Sequence, residues 1–153
     1  MADVHDIATR KRNMRAIKGR DTKPELIVRK LLWQRGFRYR LQGKKLPGRP
    51  DLVLKKYNAV IFVQGCFWHL HECAMFKWPG TRQDFWREKL TGNRTRDQRN
   101  IAALRDQGWR VAQVWECALK GRGRLAPEQV ADQLTGWLRG PDPMFEIRGR
   151  FQN

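Results

Sequence analysis

The sequence predicts an α/β fold, a mixed β-sheet flanked by helices, and three observations carry that expectation. Short strand-like segments and longer helix-like segments follow one another in the order α-β-β-β-α-β-α. The run Val60-Ile61-Phe62-Val63 is apolar at every position, so it belongs inside a sheet with both faces covered. Helix ends are marked by capping and stopping residues, with Thr22-Lys23-Pro24-Glu25 the clearest. At 153 residues the chain is one domain, with room for a single core.

Residues 1–20 are polar and basic with Ile7, Met14 and Ile17 scattered among them, which fits a weakly held helix or an arm that orders on binding. Thr22 then caps a firmer helix, Pro24 suits its first turn and Glu25 completes a capping box. This helix runs to about Arg35, with Leu26, Ile27, Leu31 and Trp33 as apolar surface, and Gly36 stops it. Phe37 to Leu41 alternates apolar residues with arginine as a half-buried strand, and Leu46-Pro47-Gly48-Arg49-Pro50 is a turn. Asp51-Leu52-Val53-Leu54 opens a second strand, Lys55 to Asn58 turns the chain, and Ala59 to Val63 returns as a third. Helix covers roughly 82–107, with a break expected near Gly92 and an end at Gly108. Trp109 to Trp115 alternates as a fourth strand and delivers Cys117 just past its end. A last helix spans about Pro127 to Leu138, and Pro141 and Pro143 mark a loose tail. The expected organisation is a basic segment 1–20, a domain 21–140 and a tail 141–153.

Lys and Arg number 32 against 15 Asp and Glu. Between Arg10 and Lys56 the acidic residues are Asp21, Glu25 and Asp51 alone, so the excess is concentrated in the first third. A solvated face of no special purpose would mix both signs; this one is suited to phosphate, in a nucleic acid or at an acidic membrane. No apolar run reaches membrane-spanning length and no signal-peptide pattern opens the chain. Three cysteines, two of them flanking histidines, do not make a secreted disulfide framework. The expectation is a reduced, cytoplasmic protein.

The densest chemistry lies in Gly65-Cys66-Phe67-Trp68-His69-Leu70-His71-Glu72-Cys73. Three thiols, with Cys117 the third, and one imidazole make a tetrahedral Zn2+ set of three sulfurs and a nitrogen. Spacing leaves open whether His69 or His71 is the ligand; the other imidazole is able to exchange protons near neutrality. With every ligand a protein atom, this zinc is structural. Phe67 and Trp68 cannot both point inward from a closed loop and suit wedges between base steps, whereas Trp86 suits either a wedge or a core residue beside Leu90.

Asp51, pinned by Pro50 at the mouth of a strand, can hold Mg2+ against a phosphate, or simply stabilise its turn. Glu25 can reach the same place through water, or serve only as a cap. Pro50-Asp51 is also the first half of the nuclease signature Pro-Asp…(Asp/Glu)-x-Lys, but the second half is missing from Phe62-Val63-Gln64. The main-chain carbonyl of Val63 can replace the missing carboxylate as a metal ligand, with His69 as the proton-transfer group.

With these residues assembled, the chain resembles the very-short-patch repair endonucleases, which nick DNA at T:G mismatches beside bacterial cytosine-5 methylation. The resemblance spans nearly the whole chain: Asn13 to Ile17, Pro47 to Asp51, Gly65 to His69 with His71 and Cys73, Phe85-Trp86 with Lys89 and Asn93, and Trp109 to Cys117. It implies a restriction-endonuclease-like fold and a structural zinc on Cys66, His71, Cys73 and Cys117, which leaves His69 for catalysis. Asp51 and the Val63 carbonyl would hold Mg2+, and Glu25 would act on a water there. Phe67, Trp68 and Trp86 would enter the duplex, Lys89 and Asn93 would read the mispaired bases, and the segment around Met14 would clamp the far side of the DNA. Cleavage would fall 5′ to the mismatched thymine, left by deamination of 5-methylcytosine, and mismatch-repair proteins would be partners.

One position departs from the family: the residue before Gly65 is commonly histidine there and is Gln64 here. An amide can hold a water or a phosphate oxygen but does not exchange protons near neutral pH. His69 then carries the titratable role. The rival readings are a related nuclease with another mismatch or sequence preference, and a zinc-stabilised DNA-binding module without catalysis.

Overall fold

A computed structural model describes residues 21–150; the segment 1–20, with Met14, lies outside the described residues. Helix α1 spans Lys23–Gln34 and is followed by strands β1 (Arg40–Leu41), β2 (Leu52–Leu54) and β3 (Ala59–Gln64). Then come α2 (Gln83–Asp106), β4 (Arg110–Trp115), the short α3 (Glu116–Leu119), α4 (Pro127–Arg139) and β5 (Met144–Ile147). The strands form one sheet in the order β1-β2-β3-β4-β5, antiparallel as far as β3 and parallel from β3 to β5. The expected mixed α/β sheet is present, with β3 at its centre.

Period-two alternation on β3 and β4 sorts the core into two layers. Ala59 and Ile61 join Ala112 and Val114 under α1 and α4, where Val28, Leu32, Val130, Leu134 and Leu138 are buried. Val60 and Phe62 pack with Val111 and with Leu104 of α2 on the other face. Gln64, Gln113 and Trp115 share this second face, because Phe62 pairs with Gln113 and Gln64 with Trp115. The polar end of the sheet therefore opens toward α2.

Four differences from the sequence reading have local causes. In α1 the inward residues are Glu25, Val28 and Leu32, while Leu26 and Trp33 are exposed; the Arg38 guanidinium covers the Trp33 ring at 3.5 Å. The first strand shrinks from Phe37–Leu41 to Arg40–Leu41, because the Phe37 N–H closes the end of α1 on the Leu32 carbonyl. Helix α2 runs 24 residues through Gly92 without a break; a single glycine costs a helix only about 1 kcal/mol.

The fourth difference is the tail. Residues 144–147 are not loose; they extend the sheet as β5, parallel to β4. Arg110 prepares the approach by donating to the carbonyls of Trp137, Leu138, Gly140 and Asp142, which caps α4 and turns the chain back. The Val111 N–H then bonds the Pro143 carbonyl at 2.9 Å.

Candidate active site and metal centre

Asp51 is delivered by the turn before β2, where Gly48 (φ 74) and Arg49 (φ 49) adopt left-handed backbone. Its Oδ2 accepts the Val63 N–H at 2.7 Å, so the carboxylate is fixed to the strand whose carbonyl was the expected second ligand. Glu25 enters from α1 and is only 4% exposed. Both readings of Glu25 meet in one place: it caps, taking the Asp21 N–H at 3.1 Å, and it lines the same cavity as Asp51. Arg29 holds its Oε2 at 3.0 Å.

That cavity, of about 730 Å³, also takes in Val63, Gln64 and His69, with Lys23, Arg49 and Lys120 supplying positive charge. Burial pushes the Asp51 carboxyl up to about 7; the Val63 N–H opposes the shift and the Glu25 charge adds to it. Two carboxylates so placed, with a carbonyl beside them, form a hard-oxygen donor set that a divalent cation would relieve, and that fits Mg2+. Gln64 is 4% exposed, and its Oε1 accepts from Gln113 Nε2 at 3.0 Å.

The loop after β3 separates the two imidazoles. Leu70 has φ 53, a left-handed conformation that costs a non-glycine residue about 1–2 kcal/mol. The turn sends His69 one way, where Nδ1 meets Asp97 Oδ2 of α2 at 2.5 Å. His71 goes the other way, lies buried against Trp115 with ring centroids 3.9 Å apart, and brings Nδ1 within 3.7 Å of Cys117 Sγ. Ligand atoms of Cys66, His71, Cys73 and Cys117 all lie within 4.8 Å of one another. Sulfur ligands of a tetrahedral zinc lie about 3.8 Å apart, so three sulfurs and a nitrogen gathered within 4.8 Å and shielded from solvent have the chemistry and the approximate spacing of such a site. The three cysteines form no disulfide with one another. A hydrogen bond from Cys66, aided by His71 and the Gly149 N–H, lowers Cys117 to about 4, and the same bond together with burial pushes Cys66 up. Glu116 ties the loop to α3, accepting the Cys66 N–H at 3.2 Å.

Beside the cavity, Phe67, Trp68 and Trp86 form a three-ring cluster with centroids 5.2 to 5.9 Å apart. Trp86 joins the loop rings from the start of α2. The structure adds Phe76, Trp78 and Phe85 to the same cluster, with Arg87 over Trp78 and Arg82 over Phe85. Asn93 Nδ2 donates to the Trp68 carbonyl at 3.0 Å and so braces the loop. Lys89 is exposed on α2.

A model of the DNA mismatch endonuclease Vsr family matches residues 2–75. The DNA mismatch endonuclease Vsr of Escherichia coli (strain K12) is 52% identical over 147 residues, covering 96% of this chain and 94% of that protein. The chain belongs to the Vsr family of DNA mismatch endonucleases. It is also similar to two type II nicking enzymes, V.XorIIP of Xanthomonas oryzae pv. oryzae and V.NmeAIP of Neisseria meningitidis serogroup A. The first is 48% identical over 73% of this chain and 82% of its own; the second is 44% identical over 80% and 87%. This Vsr-family protein is thus an endonuclease, a hydrolase acting on DNA, and among its described residues no helix is long and apolar enough to cross a membrane.

Sequence reasoning missed Asp97, Gln113, Glu116, Glu146 and Gly149. Asp97 carried a weak signal, as the lone acid in a stretch bounded by Arg94, Arg96 and Arg99. The others become visible only in the fold: Gln113 when β4 lies beside β3, Glu116 when the loop after β3 meets the end of β4, and Glu146 and Gly149 when β5 joins the sheet.

Proposed function

We propose that this restriction-endonuclease-like fold nicks duplex DNA on the 5′ side of the thymine in a T:G mismatch left by 5-methylcytosine deamination. The single observation that carries the reading is the cavity that gathers Asp51, Glu25, Val63, Gln64 and His69 beside a cluster of aromatic rings. Asp51 and the Val63 carbonyl would hold Mg2+, which when bound supplies positive charge against the phosphate. Glu25 holds a water by hydrogen bond, and His69 exchanges a proton at Nε2 while Asp97 fixes its Nδ1 side. Gln64 offers an amide donor that does not titrate. Phe67, Trp68 and Trp86 would unstack the bases beside the mismatch, at a cost of a few kcal/mol offset by new contacts. Lys89 and Asn93 would face the mispaired bases, and Met14 the far side of the duplex. Cys66, His71, Cys73 and Cys117 would hold a structural zinc. Mismatch-repair proteins are the expected partners, and the cytoplasm, on the nucleoid, the expected place.

The test is strand cleavage of a short duplex with one T:G pair at a methylated-cytosine site, with and without Mg2+. The expected product is a single nick 5′ to the thymine, absent from the T:A control. Tight binding of the mismatch without a nick would overturn the catalytic reading.

A further inference from the structure

Strand β5 and the residues after it reach the metal centre twice. Glu146 sits opposite Gln113 in the β4–β5 pairing, with its Oε1 3.8 Å from His71 Nε2. That nitrogen is buried and has no hydrogen-bond partner among the described residues. Three residues on, the Gly149 N–H donates to Cys117 Sγ at 3.2 Å. The approach is so close that a Cβ at Gly149 would lie 2.4 Å from the Cys117 carbonyl oxygen and 3.1 Å from that of Gly123. Only glycine allows it. The flanking residues are tied down as well, Arg148 to the Glu72 carbonyl at 2.6 Å and the Arg150 N–H to the Gly123 carbonyl at 2.8 Å.

We propose that residues 144–150 are the outer shell of the Cys66/His71/Cys73/Cys117 centre, so that metal retention and docking of β5 depend on each other. The inference rests on the zinc reading of that cluster. Its chemistry is that of outer-shell partners in general. An N–H aimed at a ligand sulfur spreads the negative charge of a bound thiolate, and a carboxylate at the far nitrogen of a ligand imidazole holds its ring orientation and tautomer. Glu146 is half-exposed, and 3.8 Å is a gap that one bridging water or a small side-chain rotation closes. Arg148 stands 3.9 Å from the same Glu146 oxygen and keeps that carboxylate near the strand end. By linkage, whatever factor β5 docking adds to metal affinity, the metal adds to β5 docking.

The experiment uses the full chain loaded with zinc. Zinc per chain is counted by mass spectrometry, and its release to a chromogenic chelator is timed for wild type, Glu146→Ala and Gly149→Ala. Hydrogen exchange at residues 145–147 is followed before and after zinc removal. We expect one zinc per wild-type chain, release about 10- to 100-fold faster from both variants, and lost protection of β5 in the zinc-free protein. Glu146→Ala keeps the test decisive if Gly149→Ala does not fold, since its side chain is half-exposed. Wild-type release rates from a folded, zinc-loaded Glu146→Ala, with β5 protected in zinc-free protein, would overturn the outer-shell proposal and leave the zinc reading intact. A wild-type chain that binds no zinc would overturn both.

Discussion

His69 Nδ1 lies 2.5 Å from Asp97 Oδ2, so a carboxylate from the middle of α2 holds the imidazole that lines the Asp51 cavity. The contact fixes one ring nitrogen and leaves Nε2 as the atom free to exchange a proton. In the mismatch-nicking reaction, His69→Ala should slow cleavage by roughly 10²- to 10⁴-fold, while Asp97→Asn should slow it less and leave duplex affinity unchanged. Single-turnover nicking and a binding titration on the same duplex separate the two effects. Asp97→Asn at wild-type rate would remove Asp97 from the mechanism.

Asp51 makes stability depend on pH in a defined direction. Its carboxyl is raised from 3.8 to about 7 in the folded protein, so between those values the folded state binds more protons than the unfolded state. In metal-free protein the Asp51 contribution is therefore fully present below about pH 4 and lost as pH rises through 7. Melting curves of wild type and Asp51→Asn without divalent ion should diverge across that window, with the variant the more stable at neutral pH. Saturating Mg2+ should raise the wild-type melting temperature and not that of the variant. Parallel curves would contradict the assignment.

Gln113 orients Gln64. Its Nε2 occupies the Gln64 Oε1 at 3.0 Å, which leaves the amide nitrogen as the hydrogen-bonding end of Gln64 still able to serve the cavity it lines, as a donor. Gln113→Leu should lower the nicking rate several-fold, in keeping with the ~1 kcal/mol net worth of one hydrogen bond. In a Gln64→Leu background the same change should have no further effect. Additive losses in the double variant would show that the two residues act separately.

The aromatic cluster predicts a loss on mismatched DNA larger than on paired DNA. Trp68→Ala removes the ring that contacts both Phe67 and Trp86. About 1–3 kcal/mol of mismatch affinity should go with it, the usual contribution of one base–aromatic stack. Fluorescence of a base analogue placed beside the T:G pair should report less unstacking. An unchanged signal would take Trp68 out of the duplex.

Salt dependence tests the basic surface. With 32 Lys and Arg against 15 acids, affinity for an unmodified duplex should fall steeply between about 50 and 200 mM salt. A flat response would mean that the positive charge does not meet phosphate.

Much of the protein was written locally. The N-cap at Thr22, the apolar run of β3 and the stop at Gly108 depend on neighbours within a few residues, and each appears where the sequence placed it, although Glu25 takes the Asp21 N–H and not that of Thr22, so the expected capping box is only half made. The cysteine and histidine types also pointed to a metal-ligating cluster, and the fold gathers Cys66, His71, Cys73 and Cys117 into a group able to hold an ion. Which imidazole joins that cluster was a different kind of question. It is decided by the left-handed turn at Leu70 and by the positions of Asp97 and Cys117, 28 and 46 residues downstream of His69 and His71. Pro141 and Pro143 read as the start of a loose tail because strand pairing leaves no local trace; the unpaired edge of β4 and the Arg110 cap on α4 make residues 144–147 a strand. Sequence alone therefore determined which groups the protein has and where its three long helices and central strand begin. Tertiary structure decided which groups meet, because hydrogen bonds and burial act through space, between residues the chain keeps far apart.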